Sequence, residues 1–378
     1  MPRWLQAPEL KSLMKIVFRV DASLLIGSGH VMRCLTLADA LKVHGAHCHF
    51  VSREHPGHLL DVIRQRGHAV TALPACRPSS ARVDDPSPQP AHAAWLGCAW
   101  QIDAKQTGAI LVDLQPDWLV VDHYALDQHW EEALAPHYLQ LLVIDDLADR
   151  AHNCDLLLDQ NLGRQTAHYA PWVPAHCRVL TGPHYALLRP EFAVLRPYSL
   201  HRRQAQHALR HLLITMGGVD KDNTTEHVLQ ALRNCPLPAD CRITVVMGVT
   251  APWLDAIRKK AQEMPWTTRV MVGVSDMAQL MADSDLAIGA AGSTSWELCC
   301  LGVPNLLVCT ATNQRTVITA LASASATIKF DRADLEELDG ITFRSQYAKL
   351  IDDLETYSAA AARVTDGIGA SRVYAELV

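Results

Sequence analysis

KIVFRVDASLLIGSGHVMRCLTLADAL, residues 15–41, decides the fold. Lys15–Val20 is a compact run rich in β-branched residues and reads as a buried strand. Asp21 to Gly29 is rich in small residues, and Val31–Leu41 then carries apolar residues at helical spacing. A strand, a glycine loop and a helix in that order open a parallel α/β unit. The order recurs, with strands expected at His47–Ser52, Ala69–Leu73, Trp118–Asp122 and Leu139–Asp145 and helices at Pro56–Arg66 and Ala125–Ala135. A second series follows. Strands are expected at His211–Met216, Arg242–Met247, Thr268–Gly273, Leu286–Gly289 and Asn305–Cys309, alternating with helices at Asn223–Asn234, Pro252–Glu263, Met277–Ala282 and Ser293–Leu301.

The expected architecture is therefore α/β: two Rossmann-like domains, 15–198 and 199–378, whose parallel sheets face a central cleft. The boundary is placed in the polar, basic stretch that follows Arg196-Pro197. Residues 1–14 read as an extension or a mis-set start. Residues 74–94, with five prolines, read as a surface insertion or a lid on the first domain.

Composition narrows the function classes. Of 378 residues, 49% are hydrophobic and 20% charged, which supports a full core and excludes wholesale disorder. Lys+Arg 34 against Asp+Glu 40 leaves a net charge of -6 without a basic tract, so a nucleic-acid backbone is not an expected partner. The N-terminus lacks a secretory pattern and no apolar run reaches the ~18 residues of a membrane span, so the expected location is the cytoplasm. The 11 cysteines form no CxxC pair and several lie in apolar segments, which favours buried structural thiols. The 19 histidines form no HExxH pattern, so neither metal nor cofactor is indicated.

Three glycine turns carry the chemistry. In Gly27-Ser28-Gly29-His30, the imidazole stands at a helix start, where the helix dipole disfavours imidazolium and keeps the ring neutral as a general base. The alternative is a histidine that caps the helix or bonds Asp21. In Met216-Gly217-Gly218-Val219-Asp220 with Asn223-Thr224-Thr225, a strand again yields to a helix whose free amides suit phosphate; an ordinary turn is the alternative. In Gly289-Ala290-Ala291-Gly292-Ser293-Thr294, the design repeats, and Glu297 one turn on either accepts ribose hydroxyls or completes a capping box. Asp145-Asp146 beside Asp149-Arg150 favours a structural loop. Asp21 either orients His30 or contacts substrate. Trp95 and Trp100 either shield a sugar or pack an extra helix.

Two such anion-binding turns with a ribose-reaching carboxylate form a nucleotide-diphosphate site. Gly292-Ser293-Thr294, Glu297, Gly302-Val303-Pro304 and Asn313-Gln314 resemble the nucleotide-sugar domain of GT-B glycosyltransferases. The first half carries Arg19-Val20-Asp21-Ala22-Ser23, Ile26 to Ala38, Val121-Asp122-His123-Tyr124, Asp145 to Arg150, Asp159-Gln160-Asn161 and Leu187 to Phe192. In these it resembles the UDP-2,4-diacetamido-2,4,6-trideoxy-β-L-altropyranose hydrolase family of pseudaminic acid biosynthesis. The resemblance implies a GT-B-like fold and metal-free hydrolysis of a UDP-sugar to UDP and free sugar. It implies His30 as the base for water, with Tyr124 and Asn313 on the sugar side and catalytic with it. Gly217, Gly218, Ser293, Thr294 and Glu297 would hold UDP, and the peptide around Val272 to Met277, with Val274 and Met277, would meet uracil. Asp21, Gly29, Arg33, Gly292 and Gln314 complete the expected substrate contacts. Inversion at the anomeric carbon is expected if water attacks opposite UDP. The competing readings are a GT-B glycosyltransferase using a UDP-N-acetylamino sugar and a non-catalytic nucleotide-sugar-binding subunit. A monomer is expected.

Overall fold

The computed structural model describes residues 13–76, 89–205, 208–249, 251–336 and 341–378. Residues 1–12 of the expected extension and 77–88 of the expected insertion lie outside the described residues. The chain divides into two compact units. One takes the chain through Asp159, then Thr166–Leu180 and Tyr374–Val378; the other takes Gln160–Gln165 and Thr181–Val373.

The first unit holds a seven-stranded sheet: β1 (Lys15–Val20), β2 (His47–Arg53), β3 (Ala69–Leu73), β4 (Trp118–Asp122), β5 (Gln140–Ile144), β6 (Leu156–Asp159) and β7 (Arg178–Thr181). Their spatial order is β3-β2-β1-β4-β5-β6-β7, and the pairings from β3 to β6 are parallel. Strands covered on both faces need continuous apolar runs, which Trp118–Asp122 and Leu156–Asp159 supply by being buried along their whole length. In register, Phe18 of β1 faces Phe50 of β2 and the rings stack at 4.8 Å. β6 and β7, of four residues each, escaped the sequence reading because runs so short carry little periodic signal.

One polar knot lies inside this sheet. Arg19 on β1 is fully buried and bonds Asp21 at 2.7 Å and Asp103 at 2.6 Å. Asp103, on the helix Trp100–Leu114, also takes Arg53 at 2.6 Å and the Trp130 indole at 3.0 Å. Burial opposes both charges, but each guanidinium has a carboxylate and each carboxylate has donors, so the knot is matched. The two carboxylates hold the Arg19 guanidinium above its ordinary range against that burial.

The second unit holds a six-stranded sheet: β8 (His211–Thr215), β9 (Arg242–Met247), β10 (Thr267–Val272), β11 (Leu286–Ala290), β12 (Asn305–Cys309) and β13 (Ile328–Asp331). The order is β10-β9-β8-β11-β12-β13, parallel throughout. The expected division at 198/199 falls inside one continuous helix, Pro190–Ala205, which carries Pro197 in its interior. That helix packs on the second unit: Arg196 donates to the Ala362 and Thr365 carbonyls at 2.6 and 3.1 Å, and the Ser199 hydroxyl donates to Leu301 at 2.7 Å. The polar, basic letters up to Ala205 that suggested a linker are thus helix positions, several of them tied down by hydrogen bonds to the second unit.

Residues 374–378 return to the first unit. The Tyr374 ring stacks on His44 at 3.9 Å, Glu376 pairs with Arg178, and the Trp118 indole donates to the Leu377 carbonyl at 3.1 Å.

Candidate active site

In the first sheet the strand order reverses between β1 and β4, and ligands of open α/β sheets bind beyond the carboxyl ends at such a switch point. β1 leads through its glycine loop into the helix Gly29–Val43, so His30 stands in the first turn of that helix; β4 ends at Asp122. The two side chains meet there, His30 Nδ1 to Asp122 Oδ1 at 2.6 Å. The carboxylate assigns the proton to Nδ1 and leaves Nε2 as the acceptor, which has no partner among the described residues. Asp122 is fully buried. Against the upward push of burial, Arg33 and His30 hold its carboxyl far below the ordinary carboxylate range.

Arg33, one turn after His30, donates to both Asp122 oxygens at 2.6 and 2.7 Å and to Asp146 at 2.7 Å. Its guanidinium is therefore committed to two carboxylates rather than standing open. Asp146 accepts in addition from the Tyr124 hydroxyl. Burial and the Asp146 carboxylate push that phenol well above its ordinary range, so Tyr124 stays a neutral donor. Its ring meets His30 edge-on at 4.6 Å, and Trp95 stacks on Tyr124 at 5.5 Å while facing His30 at 6.2 Å. One side of the histidine is thus a carboxylate network and another an aromatic wall. Trp100 is elsewhere, beginning the helix Trp100–Leu114 with His129 at 6.2 Å.

Two sequence expectations change here. The partner of His30 is Asp122 and not Asp21; Asp21 is fully buried, held by Arg19, by the Arg53 amide at 2.7 Å and by His123 Nε2 at 3.2 Å. Adjacency of β1 and β4 explains the difference, because it brings the end of β4 to the helix start. The pair Asp145-Asp146, read as one structural loop, divides its work. Asp145 is structural, accepting from Arg150 at 2.7 Å, from the Ala148 amide at 2.8 Å and from Tyr169 at 2.9 Å. Asp146 joins the histidine network.

The second unit repeats the switch-point layout between β8 and β11. Gly217 and Gly218 follow β8 and are exposed. A Cβ on Gly217 would meet nothing within 4 Å, although its φ of +86° favours glycine, whereas one on Gly248 would fall 1.8 Å from the Gly218 carbonyl oxygen. The backbone after β9 therefore braces the turn after β8. The amides expected to be free at the next helix, Thr224–Leu232, are not: Asp220 accepts from Thr224 at 2.8 Å and from Thr225 at 3.0 Å. The chain caps this helix with its own carboxylate, so the helix start is no open anion site.

Beyond β11, Gly292 likewise has open space around it, Ser293 is exposed, and the amides of Ser293 and Thr294 make no hydrogen bond among the described residues. Ser293 makes no side-chain cap bond, so the capping-box alternative for Glu297 is not what forms. Glu297 is 21% exposed and lies 3.9 Å from Arg189, which itself pairs with Glu191 at 3.0 Å. Burial, opposed by Arg189 and aided by Glu191, pushes the Glu297 carboxyl up to about 7.

The remaining expected residues are placed as follows. Val274 is half-buried just after β10, and Met277 opens the helix Met277–Ala282 and packs against the core of the second unit. Asn313 is exposed in the short 3-10 turn Thr312–Gln314, and Gln314 is tied back, accepting from the Thr310 amide at 2.9 Å. Among the described residues no group of three or more His, Cys, Asp or Glu side chains is placed to hold a metal ion, and no helix is long and apolar enough to cross a membrane.

No protein-family model matches the chain. It is 29% identical over 165 residues to the spore coat polysaccharide biosynthesis protein SpsG of Bacillus subtilis, covering 43% of this chain and 47% of that protein, so the match spans about half of that relative. It is 24% identical over 318 residues to the UDP-2,4-diacetamido-2,4,6-trideoxy-beta-L-altropyranose hydrolase of Campylobacter jejuni, covering 84% of this chain and 99% of that protein. Among solved structures, Acinetobacter baumannii MurG superposes with a TM-score of 0.69 over 96% of this chain and 99% of that one, at 16% identity. The chain therefore has a GT-B-like fold, built from two parallel-sheet units, and resembles the altropyranose hydrolase over most of its length.

Proposed function

We propose that the protein hydrolyses a UDP-linked 2,4-diacetamido-2,4,6-trideoxy sugar of altro configuration to UDP and the free sugar, in pseudaminic acid biosynthesis. One observation carries the reading: His30 is held at 2.6 Å by an ionised, buried Asp122 with its other ring nitrogen unpartnered. A neutral imidazole so oriented accepts a proton through Nε2, and the carboxylate stabilises the imidazolium that results. Water loses its proton to Nε2 as its oxygen bonds to the anomeric carbon. The bond from that carbon to the UDP oxygen breaks, and UDP leaves as the anion with inversion at carbon. Tyr124 and Asn313 line the sugar. Arg33 and Asp146 fix the Asp122 carboxylate and the Tyr124 hydroxyl. UDP is held by the second unit, its diphosphate on the backbone of Gly217, Gly218, Ser293 and Thr294 and its ribose on Glu297.

The resemblance to a named hydrolase along 84% of this chain supports this substrate. A glycosyltransferase reading keeps each residue in its role and replaces water by an acceptor hydroxyl; Leu24 and Leu25, 53% and 62% exposed in the loop before His30, favour it, since an apolar acceptor would cover them. Turnover in ¹⁸O-water with EDTA and no acceptor separates the two. Label in the free sugar supports hydrolysis at carbon, label in UDP means attack at phosphorus and defeats the mechanism, and no UDP release until an acceptor is added points to the transferase.

A further inference from the structure

Outside the site, two thiols of the first unit lie side by side. Cys154 stands just before β6 and Cys177 just before β7, and these strands are neighbours in the sheet. Their Sγ atoms are 3.6 Å apart, in hydrogen-bonding contact. Neighbouring strands run ~4.8 Å apart, within the Cα separation that a disulfide spans. A modest turn of each side chain would therefore bring the sulfurs to bonding distance. The two are unequal. Cys154 is 1% exposed and Cys177 is half-buried, so an oxidant in solution reaches Cys177 first. A hydrogen bond from Cys154 favours the Cys177 thiolate over the opposition of burial and of the Asp155 and Glu131 carboxylates. Cys154 stays protonated because that bond and its burial both raise its thiol. The more nucleophilic thiol is thus also the accessible one, with a partner in contact.

We propose that Cys177 and Cys154 form a peroxide-sensitive thiol pair, Cys177 attacking and Cys154 resolving. The Cys177 thiolate attacks one oxygen of hydrogen peroxide; the O–O bond breaks, leaving a sulfenic acid on Cys177 and hydroxide. The Cys154 thiol then attacks the Cys177 sulfur, the S–O bond breaks, and water leaves as the disulfide forms. Two thiols are oxidised, one peroxide is reduced to two waters, and a dithiol reductant reverses the change. The pair sits at the amino-terminal ends of its strands, so the proposal is independent of the chemistry assigned to His30. Deep thiols elsewhere are poor competitors: burial pushes Cys299 up to about 12 and Cys300 up to about 11.

The test treats the intact protein with stoichiometric hydrogen peroxide, blocks free thiols under denaturing conditions and maps all cysteines by mass spectrometry. The expected result is a Cys154–Cys177 linked peptide, lighter by two hydrogens and restored by dithiothreitol. In Cys154→Ser, dimedone should trap a sulfenic acid on Cys177. In Cys177→Ser, Cys154 should remain a thiol. Wild-type alkylation rates guard against misfolded variants, with Cys177 expected at least tenfold faster than Cys154. A linkage between other cysteines with this pair left reduced, or faster alkylation of Cys154, would overturn the proposal.

Discussion

His30 Nδ1 and Asp122 Oδ1 meet at 2.6 Å although 92 residues separate them, because the strands that precede and carry them are neighbours in the sheet. Asp122→Asn leaves Arg33 its bond to Asp146 but removes the carboxylate charge and puts an amide donor in place of one acceptor oxygen, so the imidazole tautomer is no longer fixed. We expect kcat to fall ~10²–10⁴-fold with little change in KM, the range for lost general-base catalysis. His30→Ala should cost a similar factor, and the double variant little more, because the two act as a unit. Steady-state kinetics on the three variants checks this.

Glu297 should make nucleotide binding depend on pH. Its carboxyl, ordinarily near 4.5, is raised to about 7, so the neutral form prevails below that pH. Stability from this group is fully present below its unfolded pKa and is lost as pH rises through about 7. Glu297→Gln should then raise Tm at pH 8 and leave it unchanged at pH 5. If the ionised form grips ribose, wild-type affinity for a UDP-sugar should rise about tenfold from pH 6 to pH 8 and stay flat in the glutamine variant. Calorimetric titration with a UDP-sugar, whose diphosphate does not titrate there, reads this directly.

Asp220, two residues after Gly218 in the chain, caps the helix Thr224–Leu232 with its carboxylate, accepting from the Thr224 and Thr225 amides. Asp220→Ala should lower stability by ~1 kcal/mol through loss of the cap. Asp220→Asn keeps an acceptor without the charge and should tighten UDP binding several-fold at low salt, the gain shrinking as salt rises. Denaturant melts and binding at two ionic strengths separate the effects.

Gly248→Ala would put a methyl 1.8 Å from the Gly218 carbonyl oxygen, which no side-chain rotation relieves. The turn after β8 must move. The expected outcome is a loss of UDP affinity of at least tenfold, accompanied by destabilisation of ~1–3 kcal/mol. Gly292→Ala, which would meet nothing within 4 Å, is the control and should melt as wild type does.

Asp103→Ala leaves both Arg19 and Arg53 short of their shared buried carboxylate. Breaking a buried pair by removing one partner typically costs ~3–5 kcal/mol, enough to lower the unfolding midpoint markedly. Replacing Asp103 by Asn restores hydrogen-bond acceptance without charge and should recover only part of that loss.

Much of this was legible beforehand, for reasons particular residues make plain. β-branched runs such as Lys15–Val20 and Arg242–Met247 announce themselves as strands, and both strands form with those bounds. The turns at His30 and Gly292 read correctly as strand-to-helix junctions because glycine and small residues between opposite periodicities have few other uses. What the letters hid was pairing. Nothing local to Asp21 or Asp122 says which one reaches His30; strand order decides it. Asp220 was equally hidden, since a carboxylate in a turn reads the same whether it points to solvent or closes a helix. The helix Pro190–Ala205 was masked by an interior proline and a basic tail that resembled a linker.

The return of Tyr374–Val378 to the first unit bears on how the chain is made. Trp118 is almost wholly buried at the start of a central strand, and among the described residues its indole donates to the Leu377 carbonyl alone. A ribosome must add all of Thr181–Val373 before that acceptor exists. Until then the nascent first unit carries an unanswered donor and a bare His44 ring, so its last step of folding is timed by translation of the second.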